Sequence, residues 1–171
     1  MRKKKLKIQV SLPRLSWVEN NYENAVKFFL KELNISTRLQ NTLSIKVHIR
    51  RTVLKKNILG NCSILTNGSS STKEFKIILR EDRSYFEQLQ TLAHECVHIE
   101  QACKNRLQLR VWSSDKRTHA RWEGKECGVY LQDIAYEDAP WEIEARQLQK
   151  GYYKKFINYM QEVKNKMKEE G

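Results

Sequence analysis

The chain has 171 residues, 40% of them hydrophobic and 30% charged, with only six Gly and two Pro. That composition excludes collagenous and linker-rich proteins, fits one globular domain over 1–171, and contains no run of about 18 apolar residues to cross a bilayer. The 32 Lys+Arg against 20 Asp+Glu give +12, a field that attracts polyanions or acidic partners but does not specify a fold.

From the N-terminus, Leu6, Ile8, Val10 and Leu12 alternate with Lys7, Gln9 and Ser11. This alternation predicts a strand over 6–12 and not the apolar core of a signal peptide, so a cytoplasmic location is expected. Ser16 and Glu19 have capping-box spacing, and Val18, Tyr22, Val26, Phe29 and Leu33 follow at helical intervals, predicting a helix over 17–34. Leu43, Ile45, Val47 and Ile49 read as a strand; Asn67-Gly68 separates 60–65 from the alternating Phe75, Ile77 and Leu79, as in a hairpin. The first half is therefore expected to be a strand, a helix and an antiparallel set of strands.

A second helix is expected over 83–104. Cys96 and Cys103 fall on one face of it, as free core thiols do, and the four cysteines at 62, 96, 103 and 127 include no CxxC pair. A reducing compartment fits that usage. Leu107, Leu109 and Val111 then alternate, Ser113-Ser114-Asp115 reads as a turn, and a β-rich stretch from His119 to Glu126 follows around Trp122 and Gly124. Pro140 opens a last helix, in which Tyr152, Phe156, Tyr159, Val163 and Met167 keep helical spacing.

Within the second helix stands His94-Glu95-Cys96-Val97-His98, an HExxH motif. Two histidines four apart share one helical face and can bind one Zn²⁺, while the intervening Glu sits beside the metal's open position as a general base. At about 100° per residue, Leu89, Leu92, Ala93, Cys96, Val97 and Cys103 span an arc of about 140°, and both histidines point away from its centre, toward a cleft. A catalytic zinc needs a third protein ligand. His119, Glu142 and Glu144 are the candidates. Helical phase favours Glu142, about 60° from the apolar stripe of the last helix, over the alternative Glu144, about 100° away on the other side. Ala145 is small enough to let the two helices approach. Both acids also suit a helix N-terminus.

His94-Glu95-x-x-His98 followed by Glu142-x-x-Ala145, with Gln101 and Pro140 also matching, resembles the gluzincin zinc metallopeptidases over roughly 85–150. The likeness is closest to minigluzincin-like and phage-encoded metallopeptidase-like proteins; Arg146 stands where many relatives carry an acid or amide. The resemblance implies a zincin-like α+β fold. A small mixed or antiparallel sheet would lie beside the HExxH helix and a C-terminal helix carrying the third ligand. It also implies an edge strand that binds an extended peptide by main-chain pairing, for which Phe75 to Leu79 is the candidate. The expected activity is peptide hydrolysis with one zinc on His94, His98 and Glu142 and with Glu95 as the base. Tyr130, Tyr136 and His119 are candidate oxyanion donors. A monomeric protein acting on peptide or protein substrates is the expectation.

The alternative, from another class, is a basic binding module associated with nucleic acid, its metal structural or vestigial. Lys154, Lys155, Lys164, Lys166 and Lys168 on the last helix are where such contact is expected, although Glu162, Glu169 and Glu170 interrupt them.

Overall fold

The first strand, β1 (Lys7–Ser11), runs into helix α1 (Ser16–Glu32) and then strand β2 (Leu43–Arg50), which pairs with β1 in parallel. Parallel neighbours need a crossover connection, which α1 supplies. Between α1 and β2 lies one short turn of helix, α2 (Thr37–Gln40). Strand β3 (Gly60–Ile64) pairs antiparallel with β4 (Lys73–Arg80), and β4 lies parallel to β2, giving the order β1-β2-β4-β3. This computed structural model describes residues 5–12, 16–51, 58–65, 73–111 and 117–169. The expected turns at Asn67-Gly68 and Ser113-Asp115, and the side chains of the Ser16/Glu19 cap, fall outside what it describes.

Two expectations are corrected here. The first-half strands form a mixed sheet and not an antiparallel set. Leu43, Ile45, Val47 and Ile49 on β2 and Phe75, Ile77 and Leu79 on β4 are buried while their alternates are partly open. Such alternation usually marks antiparallel strands, because most parallel sheets are covered on both faces. Here it arises in parallel neighbours whose buried side chains join those of the helices in one core. The second correction concerns Phe75 to Leu79, which lies in the interior strand β4; the sheet's edges are β1 and β3.

Helix α3 (Tyr85–Cys103) starts at a capping box that the sequence reading missed. The Ser84 amide donates to Glu87 Oε2 at 3.0 Å and the Glu87 amide to Ser84 Oγ at 3.3 Å, meeting two first-turn donors at once. The helix ends at Asn105, whose φ of +56° turns the chain back so that the Arg106 amide reaches Gln101 O at 2.8 Å. This is a Schellman closure.

Next comes a three-stranded antiparallel sheet of β5 (Leu107–Val111), β6 (Thr118–Trp122) and β7 (Lys125–Tyr130). Glu123 and Gly124, with φ of +47° and +82°, make the two-residue link from β6 to β7, with the positive φ at both positions that a type I′ turn requires. Helix α4 (Pro140–Glu169) packs against α3, with Ala145 fully buried between them. Lower down α4, the buried Phe156 ring lies 5.5 Å from that of Phe29. Burying such a ring stabilises the fold by about 1.5–3 kcal/mol. Among the described residues, no helix is long and apolar enough to cross a membrane.

Candidate metal centre

Because α3 buries its Leu89–Leu92–Cys96 stripe against the main core, His94 and His98 emerge one turn apart toward α4. There the first turn of α4 presents Glu142. His94 Nε2 lies 3.1 Å from His98 Nε2 and 3.1 Å from Glu142 Oε2, and His98 Nε2 lies 3.3 Å from Glu142 Oε1. Among the described residues, these three form the cluster able to hold a metal ion. Glu144 and His119 are outside it.

The donor set fits zinc. Bonds of about 2.0–2.1 Å at tetrahedral angles would put neighbouring donor atoms about 3.3–3.4 Å apart, close to the separations found. The donor types agree as well, two imidazole nitrogens and one carboxylate, leaving a fourth position for water. Charge reinforces the arrangement. Burial by itself would raise the Glu142 pKa, but the His94 and His98 imidazoles set against it hold its carboxyl well below the usual carboxylate range. Burial pushes His98 down, and the Glu142 and Glu95 carboxylates, with Gln101, outweigh it to raise its basicity.

Glu95 is 4% exposed. Desolvation raises its pKa against the opposing pull of His98 and His94, which moves a carboxylate toward the range useful for proton transfer near neutrality. It lines a cleft of about 750 Å³ together with His98 and Glu142, within the size range of small-molecule and peptide-side-chain sites. One wall of this cleft is β3, Gly60 to Ile64; the other includes Leu107 and Leu109 of β5, with Ile134, Tyr136 and Trp141. The strand beside the site is therefore β3, a true edge, in place of Phe75 to Leu79. Leu59, Ile64, Leu65, Leu109 and Tyr136, all large exposed apolar or aromatic side chains, lie in or next to these walls.

The three candidate oxyanion donors separate in space. Tyr136 lines the cleft with its ring half open to solvent, while partial desolvation of its hydroxyl and then hydrogen bonding to Glu142 raise its phenol pKa well above the ordinary range. His119 and Tyr130 instead face each other across β6 and β7, their ring centroids 4.8 Å apart. Arg146 turns away from the histidines, donating from Nη2 to Glu137 O at 2.5 Å with its guanidinium 5.7 Å from the Tyr136 ring centroid.

Glu144 has other partners. Its Oε1 accepts from Arg106 Nη2 at 2.5 Å and its Oε2 from Gln101 Nε2 at 2.9 Å. Gln101 Oε1 in turn lies 2.8 Å from His98 Nδ1. Sequence reasoning missed Gly60 and Arg106, since neither belongs to a motif; only the fold brings them to the site.

No family model, curated protein or solved structure matches this chain. What the fold and site define is a mixed α+β protein with a buried cluster of two histidines and a glutamate able to hold a metal ion.

Proposed function

We propose that the chain is a zinc-dependent metallopeptidase of zincin-like fold, resembling the gluzincins, with His94, His98 and Glu142 as ligands. The observation that carries this reading is the convergence of three donor atoms, at distances suited to tetrahedral zinc, beside the buried Glu95 and an open cleft. A zinc ion held there would supply Lewis acidity, acidifying a coordinated water and polarising a substrate carbonyl.

The chain's own residues do the rest. An extended peptide pairs with the free rim of β3 and sets its apolar side chains against Leu107, Leu109 and Trp141. Glu95 takes a proton from the attacking water and returns it to the leaving amine, the two halves of general acid–base catalysis. The Tyr136 phenol, which has one proton to give, turns from Glu142 and donates it to the carbonyl oxygen as negative charge gathers there. The test is hydrolysis of unfolded protein substrates by zinc-loaded chain and by Glu95→Gln. Cleavage lost with zinc retained supports the reading; equal cleavage by the variant contradicts it.

A second reading rests on a separate observation. Lys46 is the register partner of Lys76, and Arg50 of Arg80, on neighbouring strands, the Arg80 charge being shared with Asp82. Like charges directly opposite one another destabilise a sheet. His48 lies among them, its pKa lowered by burial and then by Arg50, Lys76 and Lys46. We infer that this basic sheet face, more than the lysines of α4, contacts nucleic-acid backbone. Lys46→Ala/Lys76→Ala should reduce the slope of log affinity for duplex DNA against log salt by about 1.8, at roughly 0.9 per phosphate contact. An unchanged slope contradicts the assignment.

A further inference from the structure

The half-buried chain of hydrogen bonds from Arg106 through Glu144 and Gln101 ends on His98, and its polarity is dictated by chemistry. Gln101 is fully buried. Its Nε2 faces two acceptors, Trp141 O at 3.0 Å and Glu144 Oε2 at 2.9 Å. An amide oxygen placed there would meet a carbonyl and a carboxylate with no proton between them, so the NH₂ group occupies that side. Oε1 therefore faces His98, and His98 Nδ1 donates to it at 2.8 Å. In a neutral imidazole the proton on Nδ1 leaves the lone pair on Nε2, the atom 3.1 Å from His94 Nε2 and 3.3 Å from Glu142 Oε1, so that His98 faces the Glu142 carboxylate as a ligand and not as a donor.

Arg106 holds the far end of this chain. Besides Glu144, its guanidinium reaches Glu100 Oε2 of α3 at 3.0 Å and Glu123 Oε1 of the β6–β7 turn at 2.9 Å, and it lies 4.9 Å from the Trp122 ring centroid. Three carboxylates from three elements meet on one fork. Both oxygens of Glu144 are then committed, one to Arg106 and one to Gln101.

We propose that Arg106, Glu144 and Gln101 are positioning residues that fix the His98 tautomer and thereby the metal affinity of the site. Glu144 thus governs metal binding without touching the ion. This rests on the metal-site reading above, although the tautomer itself does not require a metal. Groups that orient a ligand histidine are typically worth 10–100-fold in metal affinity.

The test uses the full chain and its Glu144→Gln variant, in which one carbonyl oxygen cannot serve both Arg106 and Gln101. Nitrogen-15 spectra of the metal-free protein, taken where His98 is neutral, report which ring nitrogen carries the proton. Chelator competition reports zinc affinity. The expected result is an Nδ1-protonated His98 in the native chain, a mixture of tautomers in the variant, and zinc bound 10–100-fold more weakly. Arg106→Lys, which keeps the charge but cannot fork, should move both readouts the same way and stands in if Glu144→Gln fails to fold. An Nε2-protonated His98 in the native chain overturns the proposal, as does unchanged zinc affinity in the variants. Loss of zinc binding in Glu144→Gln as complete as in Glu142→Ala would make Glu144 a ligand and also overturn it. If the native chain binds no zinc, the metal-site reading fails while the tautomer spectra still decide the relay.

Discussion

Gly60 on the edge strand β3 backs directly onto Glu95: a Cβ at position 60 would lie 2.7 Å from Glu95 Oε1 and 2.5 Å from Thr91 Cγ2. Space is the reason for the glycine, since any side chain must push the carboxylate or the neighbouring methyl aside. The contact ties the cleft wall to the proposed base. Gly60→Ala should therefore lower turnover roughly 100-fold, the scale expected of a misplacement near 1 Å, with zinc content unchanged. Thr91→Ser in the same background relieves the methyl clash but not the one with Glu95, so it should restore stability and not turnover. Steady-state kinetics with metal analysis checks this; native turnover in Gly60→Ala contradicts it.

Helix α4 carries Glu142 at one end and is held lower down by Phe156, whose ring is buried against Phe28 and Phe29 at 5.4 and 5.5 Å. Phe156→Ala should cost about 3–5 kcal/mol of stability, the usual range for deleting a buried aromatic ring. Met167, 70% exposed near the end of the same helix, should change stability by less than about 0.5 kcal/mol when replaced by Ala. Urea titrations of the two variants measure both numbers.

Alkaline pH should loosen the fold through Cys103. Burial pushes its thiol from 9.0 up to about 11, opposed by Lys73 and assisted by Glu100. Burial also raises Tyr22, whose hydroxyl donates to Gln88. The folded chain keeps these protons where the unfolded chain releases them. The Cys103 contribution is thus fully present below pH 9 and is lost as pH rises through 11, whereas that of Tyr22 is still whole up to pH 10 and is lost at higher pH than that of Cys103. A two-unit shift corresponds to about 2–3 kcal/mol for Cys103. Urea midpoints between pH 8 and 11 should fall, and less steeply in Cys103→Ala; parallel slopes contradict the assignment.

The element boundaries were legible because each depends on local periodicity: 6–12, 17–34 and 83–104 from the sequence correspond to β1, α1 and α3. The meeting of His94 and His98 was equally local, one turn of helix apart. Bringing Glu142 to them was legible only through the phase of α4 and the small Ala145, since 48 residues separate His94 from Glu142. Strand order was hidden, because alternation at Ile45 or Ile77 reports which face is buried and not which neighbour lies alongside. For the same reason the edge strand was misplaced on β4. Gly60, Arg106 and the second role of Glu144 were invisible, each being defined by contacts between elements far apart in the chain.

The most direct measurement is zinc stoichiometry and donor geometry, by metal analysis and X-ray absorption, on the native chain and on His94→Ala, His98→Ala and Glu142→Ala. One zinc per native chain is expected, with two imidazole nitrogens and oxygen donors at about 2.0–2.1 Å, and no stoichiometric zinc in any of the three variants. A native chain that binds no zinc, or one whose zinc survives Glu142→Ala unchanged, would contradict the metal-site reading.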